Sequence, residues 1–135
     1  MSQTIEELIT QWQDDTNNIK KDFVFLKENL DNKSQVNLEF VPRPGVSYSL
    51  RAVHAAQKKP LFVMIDVIDD DPSNRWLSVC FYGEMITDPD EKGDLIPGGL
   101  LGEDGYCFDY EESNDADIAY IQQRIDEAFS AACKE

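Results

Sequence analysis

The sequence predicts an α+β fold: a four- to five-stranded, mostly antiparallel sheet flanked by a long N-terminal helix and a C-terminal helix, in the order α-β-β-β-β-(β)-α. Three observations predict it. Helical periodicity occupies both ends of the chain, short runs alternating apolar and polar residues fill the middle, and clusters of Pro, Gly, Asp and Asn separate those runs. The length of 135 residues suits a single domain spanning 1–135, large enough to bury a core without disulfides or metal.

The first helix starts at Thr4, whose hydroxyl with Glu7 three residues on forms a capping box. Apolar residues recur at Ile5, Leu8, Ile9, Trp12, Ile19, Phe23, Leu26 and Leu30, so one helix is expected over about 4–31, on the order of 40 Å long. Its weakest stretch is the polar run Asp14 to Asn18. A helix this long would overhang a small domain, so the expected state is a monomer or a homodimer through the N-terminal helix.

Val36, Leu38 and Phe40 alternate with polar neighbours, as do Val46, Tyr48, Leu50 and Ala52 after the turn Pro42-Arg43-Pro44-Gly45. This reads as a hairpin. An odd-length, five-residue connection keeps both apolar sets on one face, with Phe40 beside Tyr48 and Leu38 beside Leu50. The run 61–68 is apolar on both faces apart from Asp66, as a central strand would be. A short acidic loop leads to the next strand, 76–82. From Thr87 to Gly105 the glycines and prolines predict a loop, and Tyr106–Tyr110 a short final strand. Asn114 or Ser113 caps the last helix, whose stripe is Ile118, Ile121, Ile125, Ala128, Phe129 and Ala132.

Net charge is −15, and nearly all of it lies between Asp66 and Asp117, where sixteen acidic residues face only Arg75 and Lys92. Such a surface repels phosphate and attracts cations or basic partners, so no direct nucleic-acid binding is expected. The longest apolar run, Leu61–Ile65, is too short to span a bilayer, and the N-terminus does not read as a signal peptide. A soluble cytoplasmic protein is expected, with Cys80, Cys107 and Cys133 as reduced thiols. Cys80 and Cys107 are placed as small core residues, and no CxxC motif is present. The helix–sheet–helix order is similar to that of small α+β domains such as the frataxin-like group at the level of fold alone. That resemblance carries over no residue, because the first helix here is charge-mixed.

Candidate chemistry sits in three places. Asp69, Asp71, Asp88 and Asp90 are candidate ligands for a hard divalent cation, which wants several carboxylate oxygens from flexible loops. The segment 88–99 superficially resembles an EF-hand loop but has Lys92 at its fifth position and Gly99 at its twelfth, so it is not one. Arg43, Arg51, Tyr48 and His54 form a candidate site for an anion or an acidic partner, since the segment between Phe40 and Pro60 holds no acid. Asp66, a carboxylate inside a central strand, is expected to pair with Arg75. No cofactor is required beyond a possible divalent cation. The leading functional expectation is a non-catalytic module presenting a carboxylate-rich surface to a basic protein partner or to cations. The alternatives are a small-molecule enzyme with a cleft under the Gly-rich segment 93–105, using Asp66 and His54, or a protein that mimics DNA.

Overall fold

The computed structural model describes residues 4–12 and 17–134. Two helices precede the sheet where one was expected: α1 (Ile5–Gln11) and α2 (Ile19–Asp31). Trp12 has an extended backbone and Asn18 a left-handed one, with φ 59°, so the helix is interrupted at the polar stretch where asparagine most readily leaves the helical region. Residues 13–16 of that stretch lie outside the described residues. The expected 40 Å rod is therefore absent, and with it the overhang on which a dimer through the N-terminal helix was argued. The predicted stripe nonetheless survives. Leu8, Trp12, Ile19, Phe23, Leu26 and Leu30 are all buried. The N-cap bond of the predicted capping box also forms, with the Glu7 N–H donating to Thr4 Oγ1 at 3.1 Å.

Six strands follow in place of four or five: β1 (Val36–Arg43), β2 (Ser47–His54), β3 (Val63–Ile68), β4 (Trp76–Tyr82), β5 (Asp94–Leu100) and β6 (Glu103–Tyr110). They form one antiparallel sheet in the order β1-β2-β3-β4-β6-β5. The extra strand is β5, which occupies the segment expected to be a loop. Proline is tolerated there because β5 is an edge strand and one side of its backbone needs no partner. The pairing with β6 is irregular between Ile96 and Leu100, where Gly98 takes φ 64°.

The first hairpin has an odd-length connection, as expected, but it is three residues long. Arg43 lies opposite Ser47, and Phe40 opposite Leu50 in place of Tyr48. A shift of two residues preserves the faces, because side chains alternate with period two. Phe40 still stacks on Tyr48 along the diagonal, with ring centroids 6.1 Å apart.

Helix α3 (Asp115–Cys133) is capped by Asn114, whose side chain accepts from the Asp117 N–H at 3.0 Å. All three helices lie against one side of the sheet. Tyr48, Leu50, Ile65, Val67, Leu77, Val79, Phe81 and Phe108 point into that layer and are at most 3% exposed. Each such apolar side chain contributes about 1.5–3 kcal/mol when taken from water. Asn17 ties the helix break to two loops. Its side chain donates to the carbonyls of Arg75 (3.1 Å) and Glu111 (2.9 Å), and its own carbonyl accepts from the Ser113 N–H (2.9 Å). Among the described residues no helix is long and apolar enough to cross a membrane.

Candidate binding surface

The strand register separates the candidate residues by face. On β2, Tyr48 and His54 point to the helices, whereas Ser49 and Arg51 point to the opposite, uncovered side. Arg43 on β1 shares that open side. The candidate anion site is thus split, with two arginines on the open face and two aromatic rings in the core layer. His54 is buried, its Nδ1 accepts the Ala56 N–H at 3.0 Å, and its ring meets Phe129 edge-on. It serves as a packing residue.

The four candidate metal ligands are engaged separately. Asp69 is buried, receives Arg75 Nε at 2.7 Å on one oxygen and the Gly45 N–H at 2.9 Å on the other. Asp71 closes its own turn by accepting both the backbone N–H and the hydroxyl of Ser73. Asp88 accepts the N–H groups of Lys92 and Gly93 and the Tyr120 hydroxyl. Burial acts to raise the Asp88 carboxyl, but these hydrogen bonds outweigh it and hold the group below the usual carboxylate range. Asp90 is exposed, and its N–H donates to Tyr120. Among the described residues no three His, Cys, Asp or Glu side chains converge to hold a metal ion.

Arg75 pairs with Asp69, not with Asp66 as expected. The reason is register: β3 and β4 pair Ile68 with Trp76, so one step further out Asp69 faces Arg75 on the helix side. Asp66 lies on the open side, opposite Ser49 and Ser78. Burial pushes its carboxyl above the usual range, opposed by the Ser49 hydroxyl and by the charges of Arg51 and Arg43. Arg51 also donates to the Ser49 hydroxyl at 3.2 Å. Oδ1 of Asp66 is buried without a hydrogen-bond partner among the described residues.

The open face therefore reads, across the middle of the sheet, Val41, Ser49, Asp66, Ser78 and Asp109. The adjacent row reads Glu39, Arg51, Met64, Cys80, Cys107 and Asp94. Cys80 and Cys107 face each other directly and are joined by a disulfide, which overturns the expectation of two reduced core thiols. Spacing in sequence could not reveal this pair, because their adjacency depends on β4 and β6 being neighbours. Cys133 is a free, exposed cysteine.

Strand order also turns a charge pattern in sequence into one in space. The basic stretch of β1 and β2 lies at one edge, and the acidic segment 86–117 lies along β5, β6 and the start of α3 at the other. Asp90, Glu91, Asp94, Asp109, Glu111, Glu112 and Asp115 are all exposed. The Asp109 carboxyl is raised by burial first and then by its neighbours Asp94 and Glu111.

Beneath the Gly-rich hairpin lies a cleft of about 430 Å³, lined by Glu84, Glu103, Asp104, Tyr82 and Tyr106. Lys59 bridges Glu84 and Glu103 at 3.0 and 2.8 Å. Asp66 and His54, the residues suggested for catalysis, are not among its lining residues and point to opposite sides of the sheet. Comparison with known protein families, with curated proteins and with solved structures finds no match to this chain.

Proposed function

We propose that this chain is a non-catalytic binding module that offers a carboxylate-rich edge to a basic protein partner. The observation that carries this reading is the gathering of exposed acids along one edge of the sheet and the first turn of α3, including Asp90, Glu91, Glu111, Glu112 and Asp115. Aligned like charges of this kind steer and hold a polycation, while the buried titratable groups His54, Asp69 and Asp22 are committed to internal hydrogen bonds. The cross-strand disulfide favours an oxidising compartment over the reduced cytoplasm expected from cysteine spacing alone.

The test is calorimetric titration with a short oligolysine peptide. A variant carrying Glu111→Gln, Glu112→Gln and Asp115→Asn should bind about tenfold more weakly, because three exposed carboxylates that are neighbours in the chain are removed together. A control variant of equal charge, with Glu6→Gln, Glu7→Gln and Glu28→Gln on the first two helices, should bind nearly as well as the parent. Equal losses in the two variants would show only a response to net charge and would remove the localised edge as a binding surface.

A further inference from the structure

Three sulfur-bearing side chains stand in one row on the open side of the sheet. Met64 on β3 lies directly opposite Cys80 on β4, and Cys80 lies directly opposite Cys107 on β6. All three point away from the helices, because their strand neighbours Val63, Ile65, Val79, Phe81 and Phe108 fill the core layer. Met64 and Cys107 are half-buried and Cys80 is buried. We propose that reduction of the Cys80–Cys107 disulfide creates a binding site for Cu(I), held by the two thiolates and the Met64 thioether.

Register sets the three sulfurs within reach of one ion. The cysteine Cα atoms are 4.1 Å apart, and directly opposed residues of neighbouring strands have Cβ atoms about 4.5–5.5 Å apart. Metal–sulfur bonds of about 2.3 Å, the length found at zinc, place the sulfurs of a trigonal site about 4 Å from one another. Cysteine reaches that spacing by rotation about χ1, and the three rotatable bonds of methionine carry its sulfur over Cys80. The donor set chooses the ion. Among the described residues no three His, Cys, Asp or Glu side chains converge, so the third donor is a thioether, which suits soft Cu(I) and not a hard cation. Zinc wants four donors around a tetrahedron, whereas this flat face offers three side by side. The Ser78 hydroxyl, 3.6 Å from Cys80 Sγ, can donate to the thiolate, and Asp94 and Asp109 on the same face favour a cation nearby. Reduction comes first and is done by a dithiol. Its thiolate attacks the sulfur of Cys107, the more exposed of the pair, the S–S bond breaks and Cys80 leaves as a thiolate. The second thiol of the reductant then releases Cys107, and the reductant departs as its own disulfide. Two electrons pass to the protein and none to or from copper. Cu(I) replaces the two thiol protons, which go to solvent. The inference is independent of the basic-partner reading, since none of Glu111, Glu112 and Asp115 takes part.

Competition for Cu(I) against a chromogenic chelator tests it, with the full chain carrying Cys133→Ser so that the exposed third thiol is absent. The chain is reduced with a dithiol and freed of it without oxygen, and its fold is checked by circular dichroism. The reduced chain should withhold one Cu(I) per molecule from the chelator, and the oxidised chain none. Met64→Leu keeps an apolar side chain of similar size on the face and both thiols beside it. It should weaken Cu(I) binding by at least about tenfold, and X-ray absorption at the copper edge should show its sulfur coordination falling from three to two. A chain carrying Cys80→Ser and Cys107→Ser should withhold no copper. Zinc in equal amount should not displace Cu(I). A reduced chain that yields all its copper, an oxidised chain that holds as much as the reduced one, or a Met64→Leu variant with unchanged affinity and three sulfurs would each overturn the proposal. Oligolysine titration of the same samples follows the acidic edge separately, so loss of copper binding and loss of the basic-partner reading are told apart.

Discussion

Reducing the Cys80–Cys107 disulfide should leave the fold standing but cost it a measurable share of stability. The two residues occupy directly opposed positions on β4 and β6, where the strand ladder already holds them together. In the native state the bond therefore adds little order. Its effect falls on the unfolded chain, where it closes a loop between residues 27 apart. Loop-closure entropy for that length is worth about 3.5 kcal/mol at 25 °C. For a domain of this size the loss lowers the melting temperature by roughly 10–15 °C. The assay is guanidinium unfolding of a Cys133→Ser background, which removes thiol exchange with the exposed third cysteine. Oxidised and reduced samples are compared by circular dichroism and tryptophan fluorescence. A reduced protein with native secondary structure and an earlier midpoint is the expected result. Two results would refute the reasoning. Unfolding free energies within about 0.5 kcal/mol of each other would show that the cross-link does not constrain the unfolded ensemble as argued. Three free thiols in the native, unreduced protein would show that the bond is not made.

Two further outcomes follow from buried carboxylates of opposite character. Burial raises the Asp66 carboxyl, so the folded state binds its proton more tightly than the unfolded state does. Its contribution is most favourable at low pH and is lost as pH rises from the unfolded pKa through the raised folded one. The test is Asp66→Asn in the otherwise native chain, where Arg43 and Arg51 still oppose the shift. The variant should unfold later than the parent at neutral pH, with the difference closing below pH ~4. An unchanged difference across that range would show that the desolvated carboxylate is not its source. Asp69→Ala leaves the Arg75 guanidinium buried beside Trp12 and Tyr48 without its carboxylate and strips the Gly45 N–H of its acceptor. Removing one member of such a pair should cost about 3–5 kcal/mol in urea unfolding. A loss below about 1 kcal/mol would place the pair with exposed ion pairs of little consequence.

Much of this architecture was written in local pattern. The stripes Ile19-Phe23-Leu26-Leu30 and Ile118-Ile121-Ile125-Ala128 are buried as their 3.6-residue period requires, and Thr4 and Asn114 cap the helices they precede. These features depend on residues three or four apart, so a single segment carries the information. The same holds for β2, β3 and β4, each marked by its apolar content. The strand β5 was hidden because its Pro97-Gly98-Gly99 core has the composition of a turn, and only an edge position beside β6 makes it a strand.

The candidate surface was less legible, and the reason is geometric. Sequence identified Arg43, Arg51, Asp66 and the acidic stretch as notable, yet assigned Asp66 the wrong partner and placed Tyr48 and His54 with the arginines. A partner across a sheet is set by register to the residue, and a one-step difference moves a side chain to the other face. Local pattern determined the class of fold, the helix faces and the core of the sheet, and composition the chain's acidity. Only the tertiary structure decided which side of the sheet is left open, that Cys80 meets Cys107, and that the acidic and basic segments lie at opposite edges. Those facts depend on strand order, and strand order is chosen by the packing of the whole chain, which no local window contains.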